Sequence, residues 1–315
     1  MISIGLPIYK VDFLEQAIDS VLNQTHQDYE LIILNDNSPY DVEKILNKYG
    51  DSRIRYYKNL ENIGMKDLSK VWNKCLEYAK GDEFILFNDD DVYEKTFIEE
   101  LYRLSKKYQN TNLFHTRVKL INENGDHIKY APLCPEYETG VDFIWHKLND
   151  FRLHFAPDFM CRTKYLKALG GFTSMPLAWG TDDLTWFKLS LKGGVVYSSK
   201  PLCSYRVSSN SITSSGGTIQ RLEAIDKYGE WITSFVKNAK IKNDDEMQLI
   251  QDISLKQKQI IMNKKEYIIG IEFKNYGFLK LNFKMIKWLV ANQIKSRILM
   301  KIYIRRFYEI ISNLT

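Results

Sequence analysis

Short apolar runs alternate with stretches of helical spacing through the first third of the chain. Residues 2–6 are apolar and end at Pro7, which predicts a buried first strand. Leu14, Ile18, Val21 and Leu22 then recur at helical spacing within 11–23. Leu31-Ile32-Ile33-Leu34 predicts a second buried strand, broken by the polar loop Asn35-Asp36-Asn37-Ser38-Pro39. A short helix over 42–48, a strand over 54–57, a helix over 68–79 stopped by Gly81 and a strand over 84–87 follow. Strands separated by helices predict βαβ units and a mainly parallel sheet, hence an α/β protein. Farther on, 113–121 and 127–130 bracket Asn122-Glu123-Asn124-Gly125, a hairpin turn. Leu184, Phe187 and Leu191 predict a helix after Thr181 that stops at Gly193-Gly194. The polar run 208–217 reads as a linker, and 220–315 reads as helices without a chemical motif.

Composition narrows the class. With 44% apolar and 26% charged residues among 315, the chain is neither disordered nor fibrous. No apolar run approaches the ~18 residues that cross a bilayer. The start lacks a basic n-region and is not expected to be a signal peptide. Cys75, Cys134, Cys161 and Cys203 lie far apart with no C-x-x-C pair, arguing against a zinc site or disulfide framework and for a reducing cytoplasm.

The net charge of +5 is uneven, because nine cations against two acids give residues 272–315 a charge of +7 and leave the remainder at −2. Phe278, Leu281, Met285, Trp288, Leu289, Ile298, Ile302 and Phe307 interleave with those cations. Such a segment can lie on an anionic membrane surface, which would place the protein at the inner face of the membrane. The alternative is that it packs on the rest of the chain or on a second subunit of a homo-oligomer. Nucleic acid fits poorly, since the remainder is slightly acidic.

Ligands of open parallel sheets bind at the carboxyl ends of the strands, so the polar residues there are the candidates for chemistry. Asp89, Asp90 and Asp91 close the fourth apolar run. Adjacent carboxylates repel, and a hard divalent cation, Mn²⁺ or Mg²⁺, relieves the repulsion while binding phosphate oxygens. In an extended stretch Asp89 and Asp91 share a direction and could reach one ion, with Asp90 pointing elsewhere. The alternative is a solvated acidic turn capping a helix that begins near Thr96. Asp36 is either a turn residue or an acceptor for a nucleobase or ribose, and Tyr9 beside it offers an aromatic face. Thr181-Asp182-Asp183 reads as a helix start, with Thr181 as N-cap, or as the seat of a general base. As a base, the carboxylate would be ionised at neutral pH without a large pKa shift.

Taken in order, Gly5-Leu6-Pro7-Ile8-Tyr9-Lys10, Tyr29-Glu30-Leu31-Ile32-Ile33-Leu34-Asn35-Asp36-Asn37-Ser38, Asn62-Ile63-Gly64, Val71-Trp72-Asn73-Lys74-Cys75-Leu76 and Asn88-Asp89-Asp90-Asp91 resemble the family 2 glycosyltransferases. Gly170-Gly171-Phe172, with Asp182 six residues before Lys188, resembles a later segment of that family. The resemblance implies a GT-A fold over 1–210, with a nucleotide-sugar half (1–93), an acceptor half (94–210) and a helical, basic extension (211–315). It further implies inverting transfer from a nucleotide sugar, a UDP-sugar above all, to a glycan or lipid-linked acceptor in cell-surface polysaccharide synthesis. By position, Pro7, Tyr9, Asp36, Asn62 and Asp90 would hold the nucleotide sugar, Asp89 and Asp91 the metal, and Asp182 would be the base. Thr181 stands where the family usually has Glu, so Asp182 and Asp183 both remain candidates. Rival readings are an inactive nucleotide- or sugar-binding module and a nucleotidyltransferase. The latter would usually have a Gly-rich basic loop, which Pro7-Ile8-Tyr9-Lys10 does not supply.

Overall fold

A computed structural model describes residues 1–207 and 217–276. The first half runs β1 (Ile2–Ile8), α1 (Leu14–Leu22), β2 (Tyr29–Asn35), α2 (Val42–Leu46), β3 (Ile54–Lys58), α3 (Gly64–Tyr78), β4 (Glu83–Leu86), β5 (Val92–Tyr93) and α4 (Phe97–Lys107). Next come β6 (Leu113–Ile121), β7 (His127–Tyr130), β8 (Tyr137–Glu138), α5 (Gly140–Leu148), β9 (Phe159–Arg162) and α6 (Thr163–Ala168). A 3₁₀ turn (Pro176–Ala178) leads to α7 (Thr181–Ser190) and β10 (Val195–Arg206), and then come α8 (Thr218–Asn238) and α9 (Asp244–Tyr276).

One sheet runs through the molecule in the order β3-β2-β1-β4-β9-β6-β10-β5, with β7 added beside β6 and β8 beside β10. The first four strands are parallel, as their spacing by helices requires. Beyond them the sheet is mixed: β9 lies antiparallel to both β4 and β6, while β10 runs parallel to β6. All seven residues of β2 are buried, and its middle, Leu31-Ile32-Ile33-Leu34, reads as an unbroken apolar run.

Alternation along the strands sorts side chains into two layers. Ile2, Ile4, Leu6 and Ile8 of β1 pack with Leu14, Ile18 and Val21 of α1 and with Phe97 and Leu101 of α4. On the other face Ile32, Leu34, Phe84 and Leu86 meet Val71 and Cys75 of α3, and that layer continues through α5 and α7 to Tyr228, Ile232 and Ile253 of α8 and α9.

Several local expectations change in the structure. Pro7 does not end β1, which continues to Ile8. Pairing with β4 stops at Gly5, so at Pro7 the strand is bonded only to β2 and a residue without an N–H is tolerated. Helix α3 is interrupted at Asp67 (φ −158°, ψ 94°), whose carboxylate accepts the Ser69 N–H at 3.1 Å. The regular helix therefore begins at Leu68, where the apolar spacing begins. The hairpin of β6 and β7 forms as expected, its turn organised by Asn122 Oδ1, which accepts the N–H groups of Asn124 and Asp126. Of the linker expected over 208–217, residues 208–216 lie outside the described residues. So does most of the basic segment 272–315, of which only the backbone through Tyr276 is described, as the end of α9. No described helix is long and apolar enough to cross a membrane.

Candidate active site

The strand order reverses at β1, since the chain passes to β2 on one side and β4 on the other. The crevice at the carboxyl ends of β1 and β4 is therefore the expected ligand position. Its two lips are tied together: Asp89 Oδ2 accepts the backbone N–H groups of Tyr9 at 3.1 Å and Lys10 at 3.0 Å. Pro7 lies within β1, and the Tyr9 ring stays partly exposed at the rim.

The three aspartates are not solvated. Asp91 is buried and Asp89 and Asp90 are partly so, and none of them caps α4, whose Ile98 N–H is instead accepted by Gln24 Oε1. Asp89 and Asp90 lie in a turn, so the extended alternation expected for the triplet does not apply. Asp91 receives the Arg206 N–H and the Asn88 side-chain amide, both at 2.8 Å. Burial first, and then Asp90, push Asp89 up to about 6. Burial and Asp90 also raise Asp91, while burial raises Asp90 against the opposing pull of Lys10 and Arg206. Ionising all three carboxyls together in this largely dehydrated place is therefore costly.

Crowded, dehydrated carboxylates and an all-oxygen donor set suit a hard divalent ion. Among the described residues no three His, Cys, Asp or Glu side chains form a ready cage. A Mg²⁺-type ion needs only one or two carboxylates when phosphates supply the other ligands, so the residues present fit such an ion bound together with a diphosphate.

Arg206 fixes the triplet from behind, and the sequence alone does not mark it for this role. Its Nε donates to the Asp90 carbonyl at 2.8 Å, its Nη1 to the Asn122 and Glu123 carbonyls at 3.1 Å, and its Nη2 to Gln16 Oε1 at 3.0 Å. The guanidinium also lies 4.0 Å over the Phe13 ring. One buried side chain therefore joins the triplet to the hairpin turn and to α1.

Asp36, after β2, is buried and turned toward α3. Its Oδ1 accepts the Asn59 amide at 2.7 Å and the Ile63 N–H at 3.0 Å, and its Oδ2 accepts the Gly64 N–H at 2.7 Å. A Cβ on Gly64 would stand 2.8 Å from Asp36 Oδ2, so glycine permits that close approach. Asn62 Oδ1 accepts the Met65 N–H at 2.8 Å in the same turn.

Asp182 enters from the other half of the molecule. The chain reaches it through Leu177 (φ 55°), Ala178 (φ 52°) and Gly180 (φ 74°), left-handed conformations that accumulate in functional loops. Gly180, not Thr181, precedes the first helical residue, and the buried Thr181 hydroxyl caps nothing. The two aspartates differ sharply. Asp183 is engaged by Lys147 Nζ at 3.2 Å and by the Tyr228 hydroxyl at 3.2 Å, whereas no described side chain donates to Asp182. Burial, then the charge of Asp183, push Asp182 up to about 7 against the pull of Lys147. The unshifted carboxylate expected from the sequence is thus replaced by one that titrates near neutrality.

Tyr205 of β10 links the two clusters. Burial raises its hydroxyl pKa, and Asp91, Asp90 and Asp182 each raise it further. Tyr205 thus lies near enough to the triplet and to Asp182 to feel the charge of each, and its ring stacks on Phe155 at 3.6 Å.

Residues 3–161 match the sequence profile of glycosyl transferase family 2. An uncharacterized glycosyltransferase of Rickettsia typhi is 24% identical over 89% of this chain and 82% of its own length. TuaG of Bacillus subtilis, named for a glycosyltransferase of teichuronic acid biosynthesis, is 28% identical over 68% of this chain and 82% of its own. Against another matching glycosyltransferase, from Rickettsia felis, the chain spans only 21% of the relative's length. Among solved structures, S. aureus TarS in complex with UDP-GlcNAc superposes with a TM-score of 0.64 at 17% identity, covering 85% of this chain and 79% of that one. At that identity the likeness concerns the fold, a mixed α/β arrangement with a central sheet flanked by helices.

Proposed function

The chain belongs to glycosyl transferase family 2, and on that premise we propose that it transfers a sugar from a UDP-sugar donor to a hydroxyl acceptor with inversion. The observation that carries this reading is a crowded, buried acidic triplet at the strand crossover and a separate carboxylate without a described side-chain donor, both near enough to Tyr205 for their charges to act on it. A diphosphate with its metal suits the first, and an acceptor hydroxyl suits the second.

In this reading Pro7, Tyr9, Asp36 and Asn62 border the nucleoside, and the partly exposed Tyr9 ring offers a stacking face. Asp36 already accepts three N–H bonds, which leaves its carboxylate room for one more donor. Asp89, Asp90 and Asp91 take up the diphosphate and the metal, Mn²⁺ or Mg²⁺, which when bound supplies Lewis-acid stabilisation of the leaving diphosphate. Asp182 takes the proton from the acceptor hydroxyl as that oxygen bonds the anomeric carbon. The bond from that carbon to the diphosphate breaks, and its electron pair leaves with the nucleotide. One in-line displacement inverts the carbon, and alignment of the two reactants supplies much of the rate. The TuaG relative, named for teichuronic acid biosynthesis, supports a product in cell-surface polysaccharide synthesis, and the UDP-GlcNAc held by the TarS neighbour is in keeping with a UDP-sugar donor.

Incubation with a panel of UDP-sugars and Mn²⁺, with UDP release as the readout, tests the proposal. Asp182→Asn is expected to lower kcat by about 10²–10⁴-fold with the fold intact, the usual contribution of a general base. Chelation of the divalent ion should abolish release, and re-addition should restore it. Near-normal turnover by Asp182→Asn removes Asp182 as the base, and activity insensitive to chelation removes the metal.

A further inference from the structure

Asp182 and Asp183 are neighbours on one helical turn, yet among the described residues side chains engage Asp183 and only backbone N–H groups reach Asp182. Lys147 of α5 stands 3.2 Å from Asp183 Oδ1, and Tyr228 of α8 donates to Oδ2 at 3.2 Å, so both oxygens are held from two different elements. Lys147 is itself largely buried and reaches the His154 carbonyl at 3.5 Å, which fixes its ammonium beneath the loop. Tyr228 is buried under Gly180, its ring edge-on to Trp179 at 6.1 Å.

We propose that Lys147 is a positioning residue of the transfer reaction: it offsets part of the charge of Asp183, with Tyr228 holding the pair in place, and so favours Asp182 as the group that accepts the proton of the incoming hydroxyl. The inference rests on Asp182 being the base, as read above. Without the pair, two adjacent carboxylates in a dehydrated site would share a proton, and neither would be a dependable base at neutral pH.

The surroundings contribute little competing charge. His154 is buried, its Nδ1 4.0 Å from Asp183 Oδ1 and without a hydrogen bond, and burial and Lys147 keep it neutral. His115, from β6, faces Asp158 at 3.3 Å, and His146 of α5 is turned to Glu138 at 3.4 Å. Tyr205 from β10 and Tyr228 from α8 have hydroxyl pKa values raised by burial, so both remain protonated donors. Asp150 acts on Tyr228 from the loop after α5. From α9, Lys264 lies over the Trp179 and Tyr228 rings, 5.8 and 5.6 Å from their centroids. Lys188, on α7 itself, bonds Thr173 at 2.8 Å. Lys147 is thus the cation set directly on the aspartate pair.

The test is the pH profile of kcat/KM for UDP release in the full chain. Lys147→Gln removes the cation and is expected to move the acid limb upward by about one pH unit or more, the usual effect of a close opposite charge. Asp183→Asn removes the like charge and should move the limb downward. Lys147→Arg keeps the cation and should return the limb to near the wild-type position. Opposite displacements from two substitutions at one ion pair are a signature that general loosening cannot produce. Limbs that stay in place, or that move the same way in both variants, overturn the proposal. If Lys147→Gln does not fold, Asp183→Asn decides alone: a downward shift supports the proposal, and an unmoved or raised limb overturns it. Persistent turnover by Asp182→Asn would instead remove the base assignment on which the inference stands.

Discussion

Asp182 is held in two opposing ways: it is exposed enough to meet an acceptor, yet sufficiently dehydrated and crowded by Asp183 that its carboxyl titrates at about 7. A carboxyl whose folded pKa lies above its ordinary value of 3.8 binds more protons in the native state than in the unfolded one between those two pH values. Its charge therefore destabilises the fold progressively as pH rises across that window, and the full cost is present above about 7. Asp182→Asn should accordingly raise Tm relative to wild type at pH 8, by less at pH 6, and hardly at all near pH 4. Parallel melting curves with a constant difference across this range would show that burial does not strain the carboxylate. Such a gain in stability with a loss of turnover is what a functional charge leaves behind when it is removed.

Among the elements, the start of α3 shows how one carboxylate positions a wall of the site. Asp36 accepts the Ile63 and Gly64 N–H groups, which would otherwise be orphan donors at a helix start, and Asn59 completes the set. Lys74 donates to Asn59 Oδ1 at 2.7 Å, so the chain of contacts runs from β2 into the middle of α3. Replacing Asp36 by Ala leaves those donors unpaired in a buried turn, and is expected to cost about 3 kcal/mol in urea-induced unfolding. A change under about 0.5 kcal/mol would mean that water or a rearranged turn replaces the carboxylate. The sequence pattern placed a polar turn after β2 but did not show that its carboxylate serves a helix start 28 residues downstream; that information resides in residues 59–64, which are read as a loop when taken alone.

Across the whole molecule, α8 and α9 complete the core that β2, β4, α3 and α7 begin. Tyr228, Ile232 and Ile253 are buried in the same cluster as Ile32 and Phe84. Ile253→Ala on α9 and Ile32→Ala on β2 should therefore lower the midpoint of one shared unfolding transition, each by about 2–5 kcal/mol. Two separate transitions, with only one affected by Ile253→Ala, would contradict a common core. The same packing brings Tyr228 to Asp183, so the helices after residue 217 contribute to the site as well as to stability.

The strands and helices of the first third were legible in the sequence because their determinants are local: runs such as Leu31-Ile32-Ile33-Leu34 and the spacing of Val71, Trp72 and Cys75 fix the element wherever it sits. The candidate aspartates were legible too, because polar residues at the carboxyl ends of buried strands have few places to go. Only the tertiary structure decided how those carboxylates differ. Arg206 meets Asp91 across 115 positions of sequence, Tyr228 meets Asp183 across 45, and Tyr205 lies between the two clusters. Dehydration and hydrogen bonding are properties of whatever lies within a few ångströms. A sequence read along its length orders residues by position, whereas the charge and freedom of each aspartate depend on neighbours that folding alone brings near.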